Sequence, residues 1–358
     1  MKPEHNFWRG KKVFVTGHTG FKGAWLCFWL QTMGARVTAV ALAPDTEPNL
    51  FKMLGLEKII SSTFLDIRNQ SQLADAVRTS EAEIVFHLAA QALVHEGYKN
   101  PLSTFETNFG GTANLLEAFR GNAQVRVAVI ATTDKVYKNL EREAPFVETD
   151  ELGGHDPYSA SKAAAEILVD SYRESYFRSQ GLAIATARAG NVIGGGDWSP
   201  NRLIPDCVRA WEGGQTVDIR MPDAVRPWQH VLDPLAGYLV LAQKLWDHPA
   251  LATSYNFGPD ANGSASVREA VTLAQSRWGE GVSHVKFGTE KKGPKESAIL
   301  RLNNARARAE LGFAPLWPLG AAIVRTVDWY KNCSAGLSVD TLCLRDIAAY
   351  EDKTNEST

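Results

Sequence analysis

Four cysteines in 358 residues, Cys27, Cys207, Cys333 and Cys343, show no spacing that suits a metal site, a redox dithiol or a disulfide framework. Long apolar runs are also missing. The longest, such as Ala24–Leu30 and Leu235–Ala242, fall well short of the roughly 20 residues a membrane-spanning helix needs. Met1–Lys12 lacks the apolar core of a secretion signal, so a reducing cytoplasm is the expected setting. Charge of one sign is not in excess either. Thirty-eight lysines and arginines against 40 acidic residues give a formal net charge of −2, with no global attraction to nucleic acid or to an acidic membrane. Any anionic ligand must therefore be met by local charge. His5, His95, His155, His248 and His284 form no metal-ligand pattern, and no metal is expected.

What is present begins with Lys12–Thr16, a β-type run that leads into Gly17-His18-Thr19-Gly20-Phe21-Lys22-Gly23 and then an apolar helical run from Ala24 to Met33. Gly17 and Gly20 allow a tight turn and a close approach of backbone N–H groups to a diphosphate. Gly23 lets the helix pack on its strand, and the helix N-terminus adds positive partial charge. One more residue separates the first two glycines than in G-x-G-x-x-G.

Further β-type runs at Arg36–Leu42, Ile84–Leu88, Val125–Thr132 and Ala183–Ala187 alternate with helical runs at Ser71–Arg78, Asn108–Phe119 and Pro157–Ser179. Such alternation predicts an α/β fold, a Rossmann-like doubly wound parallel sheet covered on both faces, with ligands at the carboxyl ends of its strands. Gly17, Asp66-Ile67, His87-Leu88-Ala89-Ala90 and Thr132-Thr133-Asp134-Lys135 all fall at such ends. The second half is less regular and rich in tryptophan, which predicts a smaller C-terminal substrate-binding domain. The expected division is residues 1–190 plus about 231–258 in the sheet domain, about 191–230 plus 259–345 in the smaller one, and a frayed tail over 350–358.

Asp156 suits an N-cap and Pro157 the first helical position, which puts Tyr158 and Lys162 one turn apart on one face. An ammonium beside a phenol lowers the phenol's pKa from about 10 and makes Tyr158 a usable general base.

Together these residues resemble the extended short-chain dehydrogenase/reductase family of nucleotide-sugar epimerases and dehydratases. The likeness runs from the glycine loop through His87–Ala90 and Tyr158/Lys162 to Arg226-Pro227-Trp228-Gln229-His230-Val231 and Tyr255–Pro259. The glycine loop, Thr132–Tyr137 and Arg188–Trp198 are similar to dehydratases of that family acting on CDP-glucose. The resemblance implies NAD, held by Gly17 to Gly23, Asp66, Ile67, Leu88, Ala89, Ala90, Thr132, Tyr158 and Lys162. The ribose grip is weak, since β-run Arg36–Leu42 ends in Ala41-Leu42-Ala43-Pro44 without an acid.

The resemblance further implies that Tyr158 removes the sugar 4-hydroxyl proton, that Thr133 orients the hydroxyl and that Lys162 holds the nicotinamide ribose. Asp134 would protonate the departing C6 hydroxyl. Lys135 stands where related dehydratases carry a glutamate base, as base or as a cation beside the enolate. Asn191, Arg202 and Arg226 would meet the nucleotide sugar, with His230 lining the pocket. Trp198 and Trp228 would stack on the base or fill a core. The implied product is CDP-4-keto-6-deoxy-D-glucose, for deoxysugars of the lipopolysaccharide O-antigen type. A homodimer is implied too, through the helices around Thr112–Phe119 and after Tyr158, where Ala164, Ile167, Leu168 and Ser171 form a stripe that faces either a partner or its own sheet. A 4-epimerase and a non-catalytic NAD-dependent sensor are the alternatives.

Overall fold

A computed structural model describes residues 2–260, 263–279, 285–288 and 297–352. Its centre is a sheet of seven strands: β1 Lys12–Thr16, β2 Arg36–Ala41, β3 Ser61–Phe64, β4 Ile84–His87, β5 Val127–Ala131, β6 Ala183–Ala189 and β7 Ser254–Phe257. Every pairing is parallel and the spatial order is β7-β6-β5-β4-β1-β2-β3. The order reverses between β1 and β4, so the loops after these two strands part and leave a crevice at the carboxyl edge.

The helices are α1 Phe21–Thr32, α2 Gln70–Ser80, α3 Gly111–Phe119, α4 Pro157–Tyr172, α5 Leu203–Glu212, α6 Leu232–Asp247, α7 Val267–Trp278, α8 Leu319–Ser334 and α9 Val339–Asp352, besides several of one or two turns. Because side chains alternate across a strand, β1 sends Val13 and Val15 to one side, where Trp25 and Trp29 of α1 and Leu235 of α6 pack. Phe14 goes to the other side, with Leu73 and Val77 of α2, Leu115 and Leu116 of α3 and Val169 of α4. Both faces are dry, as a parallel sheet requires. Only the edge strand β3 is largely polar and exposed.

α6 carries the chain back from the smaller region to the sheet, where β7 pairs with β6. Asp156 caps α4 by accepting from the Ser159 N–H at 3.0 Å, with Pro157 in the first turn. The helical run expected to reach Ser179 leaves α geometry at Tyr172 for a π turn over Arg173–Phe177, and a second π turn, Glu106–Gly110, precedes α3. Of the frayed tail expected over 350–358, residues 350–352 belong to α9 instead. Tyr350 is fully buried in α9, its ring edge-on to Trp29 at 5.7 Å, while 353–358 lie outside the described residues. Among the described residues no helix is long and apolar enough to cross a membrane.

The loop after β6 is tied to the helical layer at Gly195. Its carbonyl accepts from Trp25 Nε1 at 2.9 Å, and a Cβ there would stand 2.0 Å from the buried ring of Trp329. Gly195→Ala is therefore expected to destabilise the fold by about 1–3 kcal/mol, seen as a lower Tm in calorimetry.

Candidate active site

The glycine loop separates two kinds of glycine. Gly17 has φ +85°, and a Cβ on it would lie 2.6 Å from the Ala89 nitrogen; on Gly23 it would lie 2.0 Å from the Gly17 carbonyl oxygen. These two are required by the packing of loop on loop and helix on strand. Gly20 is different: its φ is −79°, and a Cβ would meet only the Gly17 oxygen at 3.5 Å, an ordinary contact. Nothing inside the protein demands glycine there. Gly20 is the N-cap of α1 and makes no side-chain cap, so the backbone N–H groups of the first turn are left to an anion, and the missing Cβ leaves room for it.

Neighbouring side chains close this cradle. Thr19 donates to the Leu42 carbonyl at 2.9 Å, and the Ala89 N–H donates to Thr16 Oγ1 at 3.1 Å, which seats the Leu88-Ala89-Ala90 loop against Gly17. His18 is buried with Nε2 at 2.7 Å from Ser62 Oγ, and burial holds it down at about 4, so its ring is neutral and turned toward β3. Asp66 is gripped by Arg68 through Nε and Nη2, whose hydrogen bonds hold its carboxyl below the usual range. The α2 cap is Asn69, not Asp66. Ile67 packs where a Cβ on Gly111 would stand, 2.4 Å away.

At the end of β5, Thr132 passes into a short turn, Asp134–Val136, capped by Thr133, which accepts from the Lys135 N–H at 3.3 Å and donates to Asp134 Oδ1 at 3.0 Å. A hydrogen bond also joins Thr133 to Tyr158. Asp134 is 2% exposed, and its second carboxyl oxygen has no hydrogen-bond partner among the described residues; a Cβ on Gly190 would stand 3.2 Å from it. Burial pushes this carboxyl up, against the charges of Lys135 and Arg226 and the Thr133 bond. It favours a held proton, the state of a general acid.

Tyr158 departs from expectation. Its phenol is pushed above its ordinary value, because burial outweighs the Thr133 hydrogen bond and the charge of Arg202 that act the other way. Lys162 does not govern it here: the ammonium donates to the Ala131 carbonyl at 2.9 Å and is itself pushed down by burial to about 8. Lys22 is part of the same cluster. Its ammonium donates to Tyr238 Oη at 2.8 Å, and burial, with the charges of Lys162 and Arg202, brings it down to about 7.

Arg202 thus reaches the cluster of Lys22 and Tyr158, and its buried Nε has no hydrogen-bond partner among the described residues. Arg226 is buried beside Asp134 and donates to the Val225 carbonyl at 2.9 Å; Asn191 is half-buried, and its backbone carbonyl accepts from the Gln229 N–H at 3.0 Å. His230 does not line a pocket. It is fully buried, edge-on to Trp317 at 4.6 Å and near Trp25, with Nδ1 accepting from the Leu232 N–H. Trp198 and Trp228 are core residues as well: Trp198 packs on Trp329 and Tyr330, and Trp228 is buried with Nε1 donating to the Ala265 carbonyl at 3.1 Å. Sequence reasoning did not find Tyr238 and Glu166 at the site. Glu166 had a signal, its place one turn beyond Lys162, whereas Tyr238 lies within an apolar helix with nothing to mark it.

A family model described as GDP-mannose 4,6 dehydratase matches residues 14–325. The chain belongs to this family. The match places it among the extended short-chain dehydrogenases/reductases. It is similar to a CDP-glucose 4,6-dehydratase of Salmonella typhimurium, at 41% identity over 98% of this chain and 99% of that protein. A solved UDP-glucose 4-epimerase from Stenotrophomonas maltophila, with bound NAD and formylated UDP-arabinopyranose, superposes at a TM-score of 0.78 and 26% identity, covering 91% of this chain and 99% of that one. A dTDP-glucose 4,6-dehydratase from Bacillus anthracis in complex with NAD shares the fold at a TM-score of 0.74 and 21% identity, over 90% and 97% of the two chains.

The two kinds of glycine give opposite expectations. Gly20→Ala should leave Tm nearly unchanged yet weaken dinucleotide binding about tenfold or more. Gly23→Ala should lower Tm, since its Cβ would meet a backbone oxygen. Calorimetric titration with NAD beside thermal melts checks both.

Proposed function

We propose that the protein is a lyase that dehydrates CDP-D-glucose to CDP-4-keto-6-deoxy-D-glucose. Asp134 carries this reading: a buried carboxyl, pushed up by burial and hydrogen-bonded to the Thr133 that also meets Tyr158. A 4-epimerase works at one carbon and has no use for such an acid, whereas elimination must protonate a leaving hydroxyl. The choice of CDP-glucose is supported by the 41% identity to a dehydratase of that name.

The cradle at Gly20, with the uncapped α1 N-terminus, fits the diphosphate of NAD. Gly17 to Gly23, Asp66, Ile67, Leu88 to Ala90, Thr132, Tyr158 and Lys162 would hold it, without a carboxylate at Leu42 to grip the ribose. When bound, NAD supplies the hydride acceptor for sugar C4 and the hydride donor for C6.

The side chains do the rest. Tyr158 takes the 4-hydroxyl proton, Thr133 orients that hydroxyl through their shared hydrogen bond, and the charge of Arg202 favours the phenolate. The 4-ketone acidifies the hydrogen on C5. Lys135, standing where related dehydratases carry the glutamate base, takes the C5 proton; as the C6–O bond breaks, Asp134 gives its proton to the departing hydroxyl and water is released. The charge that Lys135 then carries stabilises the enolate, and the proton returns to C5 once C6 has received hydride. Arg202, Arg226 and Asn191 meet the nucleotide sugar.

Mass spectrometry of CDP-glucose incubated with protein and NAD should find a product lighter by one water. An isomer of unchanged mass would mean an epimerase, and no conversion a sensor. Asp134→Asn should cut dehydration ~10²-fold or more. The sign for stability runs opposite. A carboxyl raised by folding gives its stabilisation at low pH and loses it as pH rises through the raised value, so at neutral pH the asparagine should melt higher. For the same reason the wild-type dehydration step should fade as pH rises through that value.

Assembly as a homodimer is supported by an exposed apolar face on adjoining helical segments. Ile167 of α4 is 61% exposed, with Leu102, Phe105 and Phe109 also exposed, while Leu168 of the same stripe packs against the core beside the sheet. Ile167→Glu should shift the light-scattering mass from dimer to monomer. A reducing cytoplasm and deoxysugar synthesis for O-antigen-type polysaccharide complete the reading.

A further inference from the structure

Beneath the site lies a buried polar cluster that the proposed chemistry does not use. Glu166 follows Lys162 by one turn of α4, and both are nearly inaccessible. Its carboxylate is saturated by donors from two strands: Thr132 Oγ1 donates to Oε1, while Thr186 Oγ1 at 2.7 Å and Arg188 Nη2 at 2.8 Å donate to Oε2. Arg188 also donates to Tyr137 Oη at 2.9 Å and the Glu148 carbonyl at 3.0 Å, and Tyr137 donates to Asn256 of β7 at 2.7 Å. Lys162 meanwhile donates to the carbonyl of Ala131, the residue before Thr132. Two successive turns of α4 therefore grip two successive residues of the strand end that becomes the Thr133–Asp134 turn.

We propose that Glu166 is a positioning residue for the reaction, holding Lys162 and the Thr132–Asp134 turn in one fixed arrangement. This rests on the dehydratase reading above. A buried carboxylate–guanidinium pair adds little net stability, because desolvating both charges offsets most of their attraction. Its effect is geometric and electrostatic. Burial opposes the charge on Glu166, but Arg188 and the two threonine hydroxyls hold the carboxyl below its ordinary value. That anion in turn raises Lys162 against the burial that brings it to about 8. Among the described residues, the other charged or titratable groups around the pair are Lys22 on α1, His87 on β4, Tyr158 on α4 and Arg173 in the π turn after it, and none of these supplies a second anion to Lys162.

The test compares wild type, Glu166→Gln and Glu166→Asp by NMR titration of the lysine side chains without added NAD or substrate, with the Lys162 signal assigned through Lys162→Arg. Steady-state pH profiles on CDP-glucose with saturating NAD accompany it. In Glu166→Gln, Lys162 should titrate lower by about half a pH unit or more. On those profiles kcat should fall about tenfold or more at nearly constant KM. Glu166→Asp should keep the wild-type titration. A folded Glu166→Gln protein with unchanged Lys162 titration overturns the proposal, whether kcat is retained or lost. If the single variant fails to fold, Glu166→Gln/Arg188→Gln, which also removes the guanidinium that the loss of Glu166 would leave unpaired, carries the same expectations. A wild type that forms no dehydrated product would instead defeat the dehydratase reading, while the titration still judges Glu166.

Discussion

Exclusion of water from the carboxyl end of β5 is the constraint on which the site depends. Three ionisable groups meet there and each responds by its own sign: burial drives the Asp134 carboxyl toward its protonated form, pulls Lys162 down to about 8 and lifts the Tyr158 phenol. A buried carboxylate survives only where donors saturate it, as Arg188, Thr132 and Thr186 do for Glu166. Asp134 accepts one hydrogen bond from Thr133, and its other oxygen finds no partner among the described residues, which separates it from the saturated Glu166 within one small volume.

The sheet makes that exclusion possible. β5 lies between β4 and β6, covered on one face by α6 and on the other by the helices that include α4, so its end cannot be reached from either side of the sheet. Access is left at the carboxyl edge, where the reversal of strand order parts the loops after β1 and β4. The contact of Gly17 with Ala89 brings those two loops back together, and Lys22 in the first turn of α1 lies within reach of the charges of Lys162 and Asp134. Lys22, in the first turn of α1, joins the two halves of the site through Tyr238.

Much of this was legible in the chain. Strand-length apolar runs separated by helical ones specify a parallel sheet because both faces of each inner strand must be dry, and the edge strand Ser61–Phe64 escapes that rule because one side meets water. Asp156-Pro157 marks the start of α4 through a local hydrogen bond, so the spacing of Tyr158 and Lys162 followed directly. Burial was the quantity that spacing could not supply. Lys162 sits one turn from Tyr158, yet desolvation and Arg202, far along the chain, shape the phenol instead. The same holds for Trp198, Trp228 and His230, whose residue types suit a pocket wall but whose neighbours Trp329, Ala265 and Trp317 come from distant segments.

If Asp134 is the acid and Tyr158 the base of one continuous site, the hydrogen removed from C4 must reappear on C6 of the same sugar. CDP-glucose carrying deuterium at C4 measures this directly. The account predicts a 4-keto-6-deoxy product that retains the deuterium, located at C6. Deuterium returned to C4 of an unreduced sugar, or lost to solvent, would contradict it.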